Sequence, residues 1–263
     1  MIDVFDLKPV SETFPSNPIR IVIPTSSMQS VNFQTCLKHI NNAHLPEGSI
    51  VTVVISSGPD FSFSKSINAG LARVKNEDIL LLNDDCFIDQ ETIENLENSI
   101  KPNDGIVGGV LRYENGLIQH FGGILKTSFL SIFVADAKNK APLYSIKSYH
   151  IARRSGIRYV RTFHYRKEPA GPVDYVTGAF FFIRHEVFQR VGMLDESLVN
   201  DWEDLDYCLR AKKLGYEIRV EKSATAIHQE HASLKGVKAD FFEKLKVFTE
   251  KWNEKDLSEV LGR

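Results

Sequence analysis

The sequence predicts an α/β fold in which a mostly parallel central sheet, flanked by helices, is followed by a mixed second half. Between Ile19 and Leu82, short runs rich in Val and Ile alternate with segments of helical periodicity. This pattern is typical of parallel strands that are buried on both faces. After about Arg112, hairpin and turn signals replace the alternation. The length of 263 residues suits one large domain with a sizeable apolar core.

The first half contains three predicted strands separated by two predicted helices. The strands IRIVI, IVTVVI and ILLL start at Ile19, Ile50 and Ile79. A polar or turn-forming segment follows each strand, and ligands of such sheets bind beyond the carboxyl ends of the strands. These segments therefore mark the candidate site. They are PTSS (24–27), SSGP (56–59) and NDD (83–85), and the two helices are indicated by Phe33, Leu37 and Ile40 and by Phe63, Ile67 and Leu71.

The second half contains a predicted hairpin, a strand and a helix. The Asn-Gly pair in RYENGLIQHF predicts a tight turn between Glu114 and Leu117. VDYVTGAFFFI predicts a strand with Gly178 in its interior, which indicates that another group approaches its backbone closely. EDLDYCLRAKKLG predicts a helix that ends at Gly215.

An apolar stripe near the end of the chain predicts a helix that packs against the body of the protein. A membrane-surface helix is the alternative, which the acidic residues on the polar face disfavour. The stripe consists of Phe241, Leu245, Phe248 and Trp252.

Composition excludes several classes of protein. Charged residues make up 25% of the chain, hydrophobic residues 43%, and the net charge is -2, which disfavours disorder, a membrane-embedded chain and a nucleic-acid coat. No apolar run approaches the ~20 residues that span a bilayer, and the first residues lack a signal-peptide pattern. Cys36, Cys86 and Cys208 lie far apart in apolar contexts. We therefore predict reduced core cysteines and a cytoplasmic protein.

Two adjacent carboxylates, Asp84 and Asp85, follow directly after a strand that is predicted to be buried. Their repulsion and burial would raise the pKa of at least one of them unless a positive charge is close. A bound divalent cation would supply that charge. The alternative is that they cap a helix that starts near Gln90, although capping needs only one of them.

Four segments follow one another along the chain: NDD (83–85), TGA (177–179), DWEDLDYCLR (201–210) and HQEHAS (228–233). Their order and spacing resemble those of family 2 glycosyltransferases, which have the Rossmann-like GT-A fold. Three longer segments, GIVGGVLRYENGLIQHFGG, VTGAFFFIRHEVFQRVGMLDESL and WEDLDYCLRAKKLGYEI, resemble bacterial transferases that build rhamnose-containing and related surface glycans. The resemblance implies one domain over 1–263, with a nucleotide-sugar-binding half (18–112) and an acceptor-binding, catalytic half (113–263).

The resemblance also implies a metal site. In the family, an Asp-x-Asp motif holds Mg2+ or Mn2+ against the nucleotide diphosphate. The matching triplet is Asn83-Asp84-Asp85, so Asp85 is the expected direct ligand. His228 matches the C-terminal metal ligand of the family, and its imidazole favours Mn2+ slightly over Mg2+. His231 is the competing candidate.

Glu203 and Asp204 match the family's catalytic acid pair at the start of a helix, whose N-terminus stabilises their ionised forms. Transfer to a hydroxyl needs a base, because the acceptor oxygen becomes a good nucleophile as it loses its proton. Asp204 is the expected base, and Glu203 either takes that role or orients the acceptor. Asp206 is expected to point elsewhere. The alternative is that the acidic cluster only caps the helix.

The implied donor site departs from the family at one position. The family often has an Asp after the second strand for the nucleobase, whereas this chain has Ser56 and Ser57 there, and Asp60 comes late. Serine hydroxyls can pair with a pyrimidine edge, which favours uridine or thymidine diphosphate sugars. Asn68 is either a donor contact or a solvated residue. The other expected donor contacts are Pro24, Thr25, Asn83, Asp84 and Gly178.

The expected acceptor contacts are Trp202 and a basic run, RRSGIRYVRTFHYRK (153–167), in which aromatic residues are interleaved. We predict that Arg153, Arg154 and Arg158 bind an anionic acceptor; a solvated basic face is the alternative. The acceptor would be a glycan or a lipid-linked pyrophosphate. Peripheral membrane association and nucleic acid are the less favoured partners.

The sequence thus predicts a metal-dependent, inverting glycosyltransferase that uses a nucleoside-diphosphate sugar. Two other hypotheses stay open at this point. A catalytically silent nucleotide- or carbohydrate-binding module is disfavoured by the presence of both the metal motif and the acid pair. A transferase that glycosylates modified DNA bases is supported by the basic run alone.

Overall fold

The computed structural model describes residues 2–58, 61–129, 144–153, 156–165, 173–198, 202–229 and 247–262, and it confirms the α/β class. The strands are β1 (Ile2–Leu7), β2 (Thr13–Phe14), β3 (Ile19–Thr25), β4 (Leu45–Pro46), β5 (Ile50–Ser56), β6 (Asp78–Leu82), β7 (Cys86–Ile88), β8 (Asp104–Arg112), β9 (Ile118–His120), β10 (Gly123–Phe129), β11 (Tyr144–Arg153), β12 (Gly156–Tyr165), β13 (Phe180–Ile183) and β14 (Glu217–His228). The helices are α1 (Val31–Asn42), α2 (Phe63–Leu71), α3 (Thr92–Ser99), α4 (His185–Val191), α5 (Glu203–Lys213) and α6 (Glu254–Leu261), preceded by a helical segment at 247–251.

Within the described ranges, the main sheet has nine strands in the order β1-β5-β3-β6-β13-β8-β14-β7, with β9 paired to β8. Strands β3, β5, β6, β8 and β14 run in one direction, and β1, β7, β9 and β13 run against them. The three strands predicted for the first half are adjacent and parallel, as expected. The antiparallel edge strand β1 is an addition to that prediction. A strand of the second half, β13, lies between β6 and β8.

The three strands that come between β9 and β13 in sequence form a separate antiparallel sheet in the order β10-β12-β11. It is tied back to the body where Gly123 pairs with Tyr175. A short parallel pair, β2 and β4, forms a third sheet. Of the basic run of 153–167, Arg153 ends β11 and 156–165 form β12, while its other residues lie outside the described ranges.

Each face of the main sheet packs against helices. On β3, Val22 belongs to an apolar core shared with α2 and α5, while its neighbours Ile21 and Ile23 belong to a second core shared with α1 and α3. Because both faces are covered there, the central strands β3, β5, β6 and β13 are mostly apolar, and the polar Arg20 and Thr52 within them are buried. The three cysteines are buried and free, as predicted.

The predicted hairpin and helix of the second half are confirmed, but the position predicted for Gly178 is wrong. β8 and β9 pair across a turn in which Gly116 has φ 80°, and α5 ends before Gly215, which has φ 90°. Gly178, however, precedes β13, which begins only at Phe180. The chain turns there, because the Phe180 N–H donates to the Thr177 carbonyl at 3.2 Å.

The end of the described chain packs against the body, as the apolar stripe predicted. Phe248 and Trp252 are 0% and 5% exposed within the core that includes α5. The other two stripe residues, Phe241 and Leu245, lie outside the described residues. In the part of the chain that the structure describes, none of the helices combines the length and apolarity needed to cross a bilayer.

Stability should depend on pH through Glu97 of α3. Burial raises the pKa of its carboxyl to about 7, and the charge of Asp78 adds to the shift. The pKa of Glu97 is higher in the folded protein than its ordinary value of 4.5, so the folded state binds this proton more tightly than the unfolded state. The stability that this proton contributes is present below pH 4.5 and is lost as the pH rises through about 7. We expect Glu97→Gln to make the protein more stable at pH 8 by about 1–2 kcal/mol and to have little effect at pH 4.5.

Chemical denaturation at the two pH values measures this difference. Glu259→Gln, on the exposed face of α6, is the matched control. The expectation is wrong if Glu97→Gln changes the stability equally at both pH values, or no more than the control does.

Candidate active site

The segment Asn83–Asp85 forms a tight turn between β6 and β7. The Cys86 N–H donates to the Asn83 carbonyl at 3.1 Å, which leaves the two aspartates at the tip of the turn. Both are nonetheless buried, since Asp84 is 9% and Asp85 5% exposed. Neither caps α3, which begins at Thr92 with Glu91 as its N-cap residue. The capping alternative is therefore wrong for these carboxylates.

Asp84 connects this turn to the end of the first parallel strand. The Thr25 hydroxyl donates to Asp84 Oδ2 at 2.7 Å. Burial raises the pKa of the Asp84 carboxyl, and the Asp85 charge contributes in the same direction, while the hydrogen bond from Thr25 opposes the shift. The raised pKa that was expected for one of two neighbouring buried carboxylates is thus found at Asp84.

Asp85 lies next to His228 because β7 pairs with β14. The pairing sets His228 opposite Cys86, and the His228 Nε2 atom lies 3.3 Å from Asp85 Oδ1. On the other side of the ring, Nδ1 lies 2.7 Å from Gln119 Oε1. Two predicted ligands that are 143 positions apart in sequence are therefore neighbours.

The Asp85–His228 pair fits a divalent cation. Two adjacent ligands, each about 2.1 Å from an octahedral ion, lie about 3 Å apart, close to the 3.3 Å between these atoms. Carboxylate and imidazole together suit Mn2+ at least as well as Mg2+. Among the described residues, no group of three or more His, Cys, Asp or Glu side chains is arranged for a metal ion. Of the described residues, these two are the ligands that we consider for such a site.

The turn that contains Gly178 joins the metal motif to α5. The Asn83 N–H donates to the Ala179 carbonyl at 3.1 Å. The Gly178 N–H donates to Asp204 Oδ2 at 3.0 Å, and the Leu205 N–H donates to Asp204 Oδ1 at 2.7 Å. The groups that approach Gly178 are the Phe63 ring and Asp204. Together with the contact between Asp85 and His228, these hydrogen bonds bring the four predicted motifs together at the carboxyl end of β6.

The first residues of α5 are held in an unusual backbone conformation. Trp202 has φ 74°, a value that costs a bulky residue of the order of 1 kcal/mol. Its ring packs on Phe248 with centroids 5.0 Å apart, and it is only 8% exposed. Glu203 is equally buried at 8%. The packing of Trp202 on Phe248 therefore helps to fix the backbone at the start of α5, where the acid pair lies.

Asp206 points away from the acid pair, as expected. It is fully buried, and its carboxylate accepts hydrogen bonds from Arg210 Nε and Trp252 Nε1, both at 2.8 Å. Lys251 Nζ lies 2.8 Å from the same carboxylate. Asp206 thus anchors the C-terminal segment to α5.

Asn68 has a different surrounding from either of the two that were predicted. It is 9% exposed, so it is not solvated. Its side chain donates to the Leu194 carbonyl at 2.9 Å and to Glu196 at 3.0 Å, and it accepts from the Leu194 N–H at 2.9 Å. Its side-chain amide already forms hydrogen bonds with the loop before α5. These hydrogen bonds disfavour a direct contact between Asn68 and a sugar donor.

The residues predicted to bind the donor at the ends of β3 and β5 differ in their exposure to solvent. Pro24 and Ser56 are buried, and the Ser56 hydroxyl lies 2.6 Å from the Ser66 hydroxyl of α2. Ser57 is exposed. Of the two serines predicted to read a base, Ser57 alone faces solvent.

Two of the predicted acceptor residues lie near each other on the paired strands β11 and β12. Arg153 ends β11 opposite Gly156, and Arg158 of β12 is paired with Ile151. Arg154 and His231 lie outside the described residues.

The sequence analysis missed Gln119 and Arg210. Gln119 lies in the quoted segment GLIQHFGG, so its place in a shared motif was the signal that could have revealed it. Arg210 donates to the Val191 and Met193 carbonyls at 2.7 and 2.9 Å, so it holds the loop before α5 next to the residue that Asn68 contacts.

Known proteins are similar to this chain both in sequence and in structure. A family model described as Glycosyltransferase like family 2 matches residues 22–240. The uncharacterized protein y4gI of Sinorhizobium fredii (strain NBRC 101917 / NGR234) is 28% identical over 183 residues, which make up 68% of this chain and 18% of that protein. The chain thus spans less than a fifth of that relative.

Two solved structures are similar over 89% of the chain. GalNAc-T7, solved with UDP, GalNAc and Mn2+, has a TM-score of 0.53 at 11% identity, and the chain covers 48% of it. S. aureus TarS, residues 1–349, has a TM-score of 0.50 at 12% identity, and the chain covers 65% of it. At these identities the similarity concerns the fold, which is the GT-A fold predicted from the sequence. Because the family model matches well over half of the residues, the chain belongs to the glycosyltransferase like family 2.

Proposed function

We propose that the protein is a metal-dependent, inverting glycosyltransferase that moves a sugar from a nucleoside diphosphate to an acceptor hydroxyl. The observation that carries the proposal is the meeting of the four motifs at one end of β6. Asp85 faces His228 there, and two hydrogen bonds lead from Asn83 through Ala179 and Gly178 to Asp204. A leaving-group site and a base site are thus adjacent.

Asp85 and His228 would hold Mn2+ or Mg2+, with Mn2+ favoured by the imidazole. When bound, the cation stabilises the negative charge that develops on the departing diphosphate. The presence of Mn2+ in the structure of GalNAc-T7 supports this assignment. Asp84 is not assigned to the metal, since its carboxylate accepts a hydrogen bond from the Thr25 hydroxyl.

Asp204 is the proposed base, and Glu203 is the competing one. Two backbone N–H groups fix the orientation of the Asp204 carboxylate before any acceptor arrives. A fixed orientation helps catalysis because the base need not reorganise during the reaction. The acceptor oxygen, as it loses its proton, attacks the anomeric carbon from the face opposite the diphosphate, which inverts the configuration.

The donor is proposed to be a UDP- or dTDP-sugar, and the acceptor a glycan or a lipid-linked glycan in a cytoplasmic, polysaccharide-building reaction. Ser57, exposed after β5, supports recognition of a pyrimidine. A rhamnose-type deoxyhexose and a hexose are both consistent with the motif resemblance. We assign 18–112 to donor binding and 113–263 to acceptor binding and catalysis within one domain; the insertion of β13 between β6 and β8 supports one unit.

Hydrolysis of a panel of nucleotide sugars, with Mn2+ and with a chelator, tests the proposal. We expect Mn2+-dependent hydrolysis of at least one UDP- or dTDP-sugar. Metal-dependent nucleotide binding without turnover of any donor, even with glycan acceptors present, would instead favour a binding module.

The basic run is proposed to bind the acceptor. We expect the triple replacement of Arg153, Arg154 and Arg158 by Ser to lower transfer to an anionic acceptor at least tenfold, because three charges that attract it are lost. Hydrolysis of the donor should be unchanged. Initial rates of transfer and hydrolysis, measured on the same preparation, check both expectations.

A matched control removes three positive charges from exposed positions elsewhere in the chain. Replacing Lys8, Lys38 and Lys75 by Ser does so on the first half of the chain. If this variant loses as much transfer as the arginine variant, net charge explains the effect. If the arginine variant loses hydrolysis and transfer together, its residues are structural.

A further inference from the structure

We propose that Gln119 is a positioning residue that selects the tautomer of His228 and so directs the His228 Nε2 lone pair toward the metal site. The inference rests on the metal site of the proposed function. Gln119 lies on β9, in the hairpin that follows β8, and is 8% exposed. Its amide contacts His228 twice: Oε1 lies 2.7 Å from the ring Nδ1, and Nε2 donates to the His228 carbonyl at 3.1 Å.

These two contacts determine which atom carries the hydrogen between Gln119 and the ring. A backbone carbonyl can only accept, so the amide nitrogen of Gln119 must be the atom that faces it. The amide oxygen then faces the ring, and it too can only accept. The proton must therefore lie on His228 Nδ1, which in the neutral ring leaves the lone pair on Nε2.

The selected lone pair points to the side of the ring where the metal is proposed. Nε2 lies 3.3 Å from Asp85 Oδ1. A lone pair and a carboxylate at this distance repel each other unless a positive charge lies between them. Gln119 thus holds His228 in a form that is unfavourable beside Asp85 alone and favourable beside a bound cation. Ligating histidines commonly have such a partner on their other nitrogen, and its loss typically lowers metal affinity 10–100-fold.

A second side-chain contact joins the hairpin that contains Gln119 to the end of β14. Gln229, the residue after His228, donates to Glu114 Oε1 at 2.7 Å. This side chain is exposed and makes its contact away from the imidazole. Gln229 is therefore a matched control, because it joins the same two segments without a contact to the ring.

The experiment compares Gln119→Leu, which removes the acceptor, Gln119→Glu, which keeps an oxygen acceptor at the ring, and Gln229→Leu. Nitrogen-15 NMR of histidine-labelled, metal-free protein identifies the protonated ring nitrogen of His228, whose signals are assigned by their loss in His228→Gln. Calorimetric titration with Mn2+ in the presence of UDP measures metal affinity. We expect the Nδ1-protonated form in the unmodified protein, in Gln119→Glu and in Gln229→Leu.

In Gln119→Leu we expect a shift to the other tautomer or a mixture, and a Kd for Mn2+ that rises 10–100-fold. The inference is overturned if Gln119→Leu keeps the Nδ1-protonated form, or if its Kd stays within twofold of that of Gln229→Leu. Failure of the proposed function looks different: UDP binding by the unmodified protein would then be the same with and without Mn2+. Thermal unfolding of each variant checks that the fold persists, and Gln119→Glu decides the matter if Gln119→Leu is unfolded.

Discussion

Replacing Asp204 by Asn is expected to slow sugar transfer by a factor of about 10² to 10⁴, the usual contribution of a positioned general base. The amide has nearly the same shape as the carboxylate but cannot accept the proton of the acceptor hydroxyl. Metal-dependent binding of the nucleotide should persist, since Asp85 and His228 are untouched. Steady-state transfer rates and nucleotide titrations on the same preparation measure the two effects separately.

The structure adds a stability cost to this prediction. Both Asp204 oxygens accept backbone N–H groups, from Gly178 and from Leu205. An asparagine has one acceptor oxygen, so one N–H loses its partner, at a cost of about 1–2 kcal/mol. A loss of activity far larger than the loss of stability, measured below the unfolding temperature, separates a catalytic role from a structural one.

Glu203→Gln is the necessary control, because neighbouring side chains project in different directions from a helix and one of them faces the acceptor. If Asp204→Asn transfers at the unmodified rate and Glu203→Gln is inactive, Glu203 is the base. If both variants are fully active, the acid pair is structural and the proposed mechanism fails.

Replacing Asp85 by Ala is expected to remove the metal dependence of nucleoside diphosphate binding. Asp85 supplies the carboxylate of the proposed pair of metal ligands, and His228 alone would hold the ion weakly. We therefore expect the variant to bind UDP with the weak affinity that the unmodified protein has when a chelator is present. Calorimetric titration of UDP, with and without Mn2+, measures this difference.

Asp89→Ala is the matched control for Asp85→Ala. Asp89 is an aspartate just beyond the other end of β7, where it accepts a hydrogen bond from Thr225, and its removal should leave the effect of Mn2+ intact. Equal UDP affinity with and without metal in the unmodified protein would refute the metal site itself.

The sequence by itself determined the parallel strands β3, β5 and β6, the helices between them, the hairpin after β8 and the end of α5. These features depend on local periodicity and turn chemistry, which a short segment contains in full. The order of the four motifs resembles that of family 2 glycosyltransferases, and this resemblance was sufficient to predict the GT-A fold. The metal and base assignments came from that resemblance, and they remain proposals to be tested.

Only the tertiary structure decided which partners these residues have. The contact between Asn68 and Leu194 joins residues 126 positions apart, and that between Gln119 and His228 joins residues 109 apart. Such pairs leave no periodic signal, because neither segment needs the other to form its strand or helix. Gly178 was misplaced for the same reason: its segment is apolar enough for a strand, and the turn that removes it from β13 is stabilised by Asn83 and Asp204, which are distant in sequence.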